Sequence, residues 1–392
     1  MFEHLQALAS DPILGLSQAF QHDENPNKVD LGVGVYKDEQ GNTPVLSAVI
    51  EAQRLAHERE ITKAYQGPVG NRVFNELMQK LIFGENNPLH SRLTTLQTPG
   101  GCGALWLGAK LIANSRDSAT IWVSRPTWAN HIPLMQGAGL TIKEYPYYDA
   151  SSQSIDVDAM MSTLEQVPAG DLVLLHGCCH NPCGTDLNLE QWQAIAQLAQ
   201  KNGFIPFVDL AYQGFGDGLE EDAQGLRLLA AAVPELLVAS SCSKNFGLYR
   251  ERAGALSVLA DSTAAAEVVF SHMQNASRAV YSMPPAHGAT LVETILTDAQ
   301  LCAQWQGEVG QMRDRIKSLR QDLAQALAPF GDFGFIPEQR GMFSFLGLTA
   351  EQVARLKSQY SIYMVDSSRI NLAGINQRNL PYLADSIGRV IS

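Results

Sequence analysis

Apolar runs alternate with amphipathic stretches along most of the chain. Residues 119–124, 171–175, 204–210, 236–240 and 254–259 are short, apolar and bounded by Gly and turn-forming residues. That pattern predicts buried strands. Between the second and third lies NLEQWQAIAQLAQKNG, which predicts a helix. Asn188 and Gln191 have capping-box spacing, Leu189, Trp192, Ile195 and Ala199 share one face, and Gly203 suits the stop. Strand, helix, strand in that order is a βαβ unit, so the sheet is at least partly parallel. In TTLQTPGGCGALWLGAKLIANS a Gly-rich turn opens onto another helix, with Leu105, Gly108, Ala109 and Ile112 near one face. An Ala-rich helix follows residue 259, and Pro284–Pro285 start the next. From Gln311 the character changes. Met312, Ile316, Leu319, Leu323 and Leu327 recur at helical spacing with charges between them. This long helix leads into a C-terminal α/β domain.

The pattern divides the chain into 1–45, an N-terminal arm and part of a small domain; 46–310, a large domain; and 311–392, the rest of the small domain. The 392 residues are enough for two sizeable cores. The net charge of −12 argues against a generic nucleic-acid or anionic-membrane surface. No run of eighteen apolar residues exists to span a membrane. The start, MFEHLQALASDPILG, lacks the basic and long apolar regions of a signal peptide.

Ligands in open α/β sheets sit beyond the carboxyl ends of the strands. The run 204–210 ends in Asp209, with Tyr212 three residues on. The run LLVAS ends in small polar residues and Lys244, and Arg252 follows eight residues later. An acid, a phenol, a lysine and an arginine thus share one pocket. That set suits pyridoxal 5′-phosphate (PLP). The lysine amine bonds to the aldehyde. The acid pairs with the pyridinium nitrogen and keeps it protonated, and the arginine binds the phosphate. Singly, each residue has a plainer reading: a solvated loop lysine, or an aspartate that forms a turn. The constellation carries the case.

One cluster offers a different chemistry. DLVLLHGCCHNPCGTD holds His176, Cys178, Cys179, His180 and Cys183, all ligand types for zinc. Against zinc, Cys178 and Cys179 point opposite ways if extended, and no second spaced ligand pair is visible. The expectation is no metal.

The segments VDLAYQGFGDGLEEDAQGLR and SSCSKNFGLYRERAGAL closely resemble the class I aspartate and aromatic amino-acid aminotransferases, and the likeness runs over nearly the whole chain. The resemblance implies the fold type I architecture of PLP enzymes: a large domain with a mainly parallel sheet flanked by helices, plus a smaller α/β domain. It implies an aminotransferase that moves the amino group of L-aspartate, or of aromatic amino acids such as tyrosine and phenylalanine, to 2-oxoglutarate by ping-pong kinetics. A non-catalytic amino-acid sensor is the alternative, beside the zinc protein.

By the same resemblance Lys244 carries the cofactor, Asp209 meets the ring nitrogen, and Asn181 and Tyr212 bond the ring oxygen. Trp128 stacks on the ring, and His131 stands behind Asp209. Gly101, Cys102, Ser241 and Arg252 hold the phosphate, joined by Tyr65 from a neighbouring subunit, which implies a homodimer. The family commonly has Thr or Ser where this chain has Cys102, and NPCG resembles its NPTG turn, with Cys183 for Thr. Gly34 and Phe343 line the substrate pocket, Arg369 takes the α-carboxylate, and Arg278 crosses to a side-chain carboxylate. Four of the six cysteines lie beside these site loops, which points to free thiols in a reducing compartment and so to the cytoplasm.

Overall fold

The computed structural model describes residues 2–7 and 12–391. The chain forms two compact units: Pro44–Arg315 with Gln339–Gly341, and Met1–Thr43 with Ile316–Glu338 and Met342–Ser392.

The first unit is built on seven strands: β1 (Leu93–Pro99), β2 (Thr120–Arg125), β3 (Thr141–Pro146), β4 (Leu172–His176), β5 (Ile205–Leu210), β6 (Leu236–Ser241) and β7 (Ala253–Leu259). Their order across the sheet is β1-β7-β6-β5-β4-β2-β3. Strands β2 to β6 pair in parallel, whereas β7 runs antiparallel to both β1 and β6. All six residues of β6 and all seven of β7 are buried, as expected for central strands covered on both faces.

Helix α1 (Gly100–Ser115) leaves β1 directly. It lies so close to the sheet at Gly108 that a Cβ there would come 2.6 Å from the Phe207 ring. Leu105, Ile121, Leu174, Phe207, Leu237 and Leu256 belong to the core beneath it. Helix α2 (Leu189–Asn202) has the expected capping box between Asn188 and Gln191, and Gly203 ends it at φ 74°. Trp192, Ile195 and Ala199 are buried on its inner face, but Leu189 is 49% exposed. Leu189 is the first helical residue, and the inward stripe begins only with Trp192. Helix α3 (Thr263–Val280) follows β7, capped by Ser262.

Helix α4 (Ala299–Leu327) starts twelve residues before the change of character at Gln311 and runs for 29 residues. Met312, Ile316, Leu319, Leu323 and Leu327 are all buried. The second unit also holds two short strand pairs. Val29–Asp30 pairs in parallel with Ile362–Tyr363, and Phe343–Phe345 pairs antiparallel with Arg369–Asn371. The polar start contains a helix, Pro12–His22, that its mixed composition did not announce, and residues 1 and 8–11 of the proposed arm lie outside the described part. No helix among the described residues is long and apolar enough to cross a membrane.

Candidate active site

The carboxyl ends of β2, β4, β5 and β6 converge because parallel pairing aligns them. His176, the last residue of β4, pairs in register with Asp209 of β5, and Asp209 with Ala239 of β6. Asp209 is 8% exposed. Its Oδ2 lies 3.0 Å from His131 Nε2, which donates to the carboxylate. The other ring nitrogen, His131 Nδ1, lies 2.7 Å from Thr127 Oγ1, which lies 3.3 Å from His176 Nε2. Burial pushes the Asp209 carboxyl up, but the His131 hydrogen bond and nearby positive charge outweigh it and hold it below its usual range. Burial lowers His176 to about 3, with His131 acting the same way, so His176 is neutral at pH 7. The Thr127–His176 extension escaped the sequence reading. Its only signal was histidines beside two strand ends.

Lys244 follows β6 by three residues. Its Nζ lies 5.3 Å from the centre of the Tyr212 ring and 6.0 Å from that of Tyr249. Burial lowers its pKa from the usual lysine value, and the charge of Asp209 opposes that shift. With no ion pair or hydrogen bond among the described residues, a lysine lowered in this way is a nucleophile more readily than a surface lysine.

A cradle for an anion lies beside it. Helix α1 begins at Gly100 (φ 70°) after Pro99, and no side chain caps its first turn. Its leading N–H groups therefore remain available. A Cβ on Gly100 would overlap the Arg252 guanidinium, and one on Gly101 would come 3.2 Å from Ser241 Cβ. Arg252 itself adopts φ 54° and donates through Nη1 to Ser243 Oγ and Tyr249 O. The Cys102 thiol is raised by burial, with Arg252 opposing, so it is neutral.

Asn181 is 7% exposed, and its Oδ1 has no hydrogen-bond partner among the described residues. A buried amide oxygen without a partner is costly, and an O–H or N–H donor on a ligand removes the cost. Trp128 meets His131 edge-on at 5.2 Å. An uncapped helix start with an arginine, a buried lysine, a buried carboxylate and a buried amide whose N–H2 can donate fit the phosphate, aldehyde, ring nitrogen and ring oxygen of PLP.

Tyr65 and Arg278 make their contacts elsewhere in the first unit. Tyr65 is 94% exposed and lines a cavity of about 760 Å³ with His57, Ile61, Met283 and His287. Arg278, in the last turn of α3, donates to Ser282 Oγ at 2.6 Å and is exposed. In the second unit Arg369, Phe343 and Gly34 come together. The Arg369 guanidinium lies 4.6 Å from the Phe343 ring centre and donates to Gly32 O at 2.6 Å. A Cβ on Gly34 would come 2.8 Å from Phe343 Cζ. The segment around Gly34 forms no strand beyond Asp30.

The cysteine cluster corrects one expectation. Cys178 and Cys179 do not point apart, because Cys179 adopts φ 52° and the run is not extended. Both sulfurs lie within 4.8 Å of each other and of Asp222. The Asp222 carboxylate, however, already accepts from the backbone N–H groups of Gly214, Gly216, Asp217 and Gly218. All six cysteines are free thiols.

A protein-family model described as aminotransferase class I and II matches residues 26–387. The chain belongs to this family. It is 49% identical over its whole length to the whole aspartate aminotransferase of Escherichia coli. It is 47% identical to the aromatic-amino-acid aminotransferase of Pseudomonas aeruginosa, over 99% of this chain and 98% of that one. The fold matches the aromatic-amino-acid aminotransferase of Burkholderia pseudomallei, covalently bound to pyridoxal phosphate, with a TM-score of 0.98, 42% identity and full coverage of both chains. The architecture is therefore fold type I, and the sensor and zinc readings receive no support.

Proposed function

We propose that this chain is a PLP-dependent aminotransferase that moves the amino group of L-aspartate and of aromatic L-amino acids to 2-oxoglutarate, giving the oxo-acid and L-glutamate. The observation that carries the reading is a buried Lys244, with no ion pair among the described residues, under the charge of a buried Asp209 that is fixed by His131. When bound, PLP supplies an electron sink for the charge left on the substrate α-carbon.

The chain's own residues do the rest. Lys244 Nζ is the nucleophile that holds the cofactor and the base that takes the α-carbon proton. Asp209 keeps a positive charge on the ring nitrogen favourable, and His131 holds Asp209 ionised and in place. Asn181 and Tyr212 orient the ring oxygen, and Trp128 covers the ring face. The N–H groups of Gly101 and Cys102, with Ser241 and Arg252, bind the phosphate. Arg369 takes the α-carboxylate as a two-pronged donor, with Gly34 and Phe343 beside it. Arg278 answers a substrate's second carboxylate. Tyr65 and Ile61, 94% and 95% exposed, favour a homodimer in which Tyr65 serves the partner's phosphate site. The protein works in the cytoplasm.

Borohydride reduction followed by peptide mapping tests the reading. PLP becomes fixed to the peptide containing Lys244. A label on Lys110 or Lys201 instead overturns the assignment. A panel of kcat/KM values for aspartate, tyrosine, phenylalanine and tryptophan with 2-oxoglutarate then ranks the donors, and sedimentation reads the dimer.

A further inference from the structure

Asn181 sits in a turn whose ends are tied by an unusual pair. Cys183 and His180 are 0% and 1% exposed, and Cys183 Sγ lies 3.1 Å from His180 Nδ1. Burial raises the thiol to about 12 and lowers the imidazole, so both are neutral and the contact is a hydrogen bond, not an ion pair.

The direction of that bond follows from its neighbours. Ser124 Oγ lies 2.8 Å from Pro126 O, a carbonyl that only accepts, so the hydroxyl proton goes there. Ser124 Oγ is therefore the acceptor for His180 Nε2, 3.1 Å away. A neutral imidazole with its proton on Nε2 presents a lone pair at Nδ1, and this lone pair faces Sγ. The thiol's rival acceptor, Thr185 O, lies at 4.0 Å and already takes the Tyr147 hydroxyl at 2.8 Å.

The ring is held on both faces as well. His180 stacks on Tyr147 at 4.3 Å and lies 3.9 Å from His176, the far end of the Asp209 network. Its backbone N–H goes to Asp186, and its carbonyl accepts from Gly184. The thiol closes the loop 180–183 from the side-chain side, with Asn181 inside it.

We propose that Cys183 is a positioning residue: its thiol donates to the bare Nδ1 of His180 and so clamps the turn that aims the Asn181 amide at the cofactor ring oxygen. The second half rests on the proposed role of Asn181, and the first half does not. A looser turn weakens the amide's contact to that oxygen. More negative charge then remains there and holds a proton on the Lys244 nitrogen to higher pH.

The test uses the holoenzyme with ¹⁵N-labelled histidine, His180 being assigned by its loss in His180→Gln. In the wild type, His180 shows a protonated Nε2 and a bare Nδ1 throughout pH 6–9. Cys183→Ser, which keeps a donor, retains both the tautomer and the pH midpoint of the cofactor's visible absorbance. Cys183→Val keeps the tautomer that Ser124 sets, shifts the Nδ1 resonance because its donor is gone, and raises that midpoint by roughly 0.3–0.7 pH unit, a two- to fivefold change in proton affinity. A protonated Nδ1 in the wild type overturns the proposal even if no variant folds. So does a Cys183→Val enzyme with wild-type Nδ1 resonance and midpoint, or a Cys183→Ser enzyme that behaves like Cys183→Val. Absence of a visible band in the wild type refutes the PLP reading instead, and leaves the tautomer measurement standing.

Discussion

Gly254→Ala tests the phosphate cradle through a residue that never touches the phosphate. Gly254 lies in β7 between Thr98 of β1 and Ser241 of β6. A Cβ there would come 2.6 Å from both the Gly100 carbonyl carbon and Ser240 O, and 2.8 Å from Gly100 Cα. Ordinary contact begins at 3.4 Å, so the neighbours must give by 3.4 − 2.6 = 0.8 Å. All three atoms are backbone and cannot rotate away. Ser240 is held in the β6–β7 ladder, so Gly100 moves, and with it the first turn of α1. Overpacking of this kind costs about 1–3 kcal/mol of stability. Loss of one charge-assisted hydrogen bond to the phosphate costs about 1.5–3 kcal/mol. That corresponds to a PLP dissociation constant raised roughly tenfold to 160-fold. The assay is equilibrium titration of apoenzyme with PLP, with urea unfolding of the same apoenzyme. A variant with PLP affinity within about twofold of wild type and unchanged stability refutes the close-approach argument.

Other outcomes follow from the same geometry. Asp209→Ala retains part of its PLP affinity but loses most of its kcat, read by cofactor content and steady-state rates; full occupancy with near wild-type kcat contradicts the electronic role. Arg278→Ala lowers kcat/KM for aspartate at least about tenfold more than for phenylalanine, since only aspartate brings a second charge. Single half-reactions read this, because 2-oxoglutarate carries a second carboxylate of its own and would confound full turnover; equal losses refute it. Gly307→Ala, at an exposed α4 position with no atom within 4 Å of the new methyl, stabilises the fold by about 0.5–1 kcal/mol in urea unfolding; a loss of stability refutes the open space. The His176 pKa, lowered to about 3, makes the unfolded state bind more protons between pH 6.5 and 3. Stability from this group is full above pH 6.5 and falls with pH by up to about 1.4 kcal/mol per unit. Asp186, raised by burial to about 6, acts in the opposite sense, so His176→Gln is compared with wild type. The variant loses less stability between pH 7 and 5, and equal losses refute the assignment.

The sequence by itself determined what local chemistry decides. Asn188 and Gln191 cap α2 because their side chains reach backbone N–H groups only three residues away. Gly203 ends it because glycine accepts a positive φ without a Cβ clash. The apolar runs marked the buried strands, because a strand covered on both faces has no polar side to show. Asp209 and Lys244 stood out because each ends such a run, where an open sheet exposes its chemistry.

Only the tertiary structure decided the rest. The antiparallel placement of β7 between β1 and β6 brings Gly254 against Gly100, 154 positions earlier in the sequence. The Asp209–His131–Thr127–His176 network joins residues from three segments. Nor did Cys179 declare its positive φ, which brings Cys178 and Cys179 together where an extended chain would part them. The physical reason is range. Caps, turns and periodicity are settled within a few residues, whereas strand order and the meeting of distant side chains are settled by how the whole core packs.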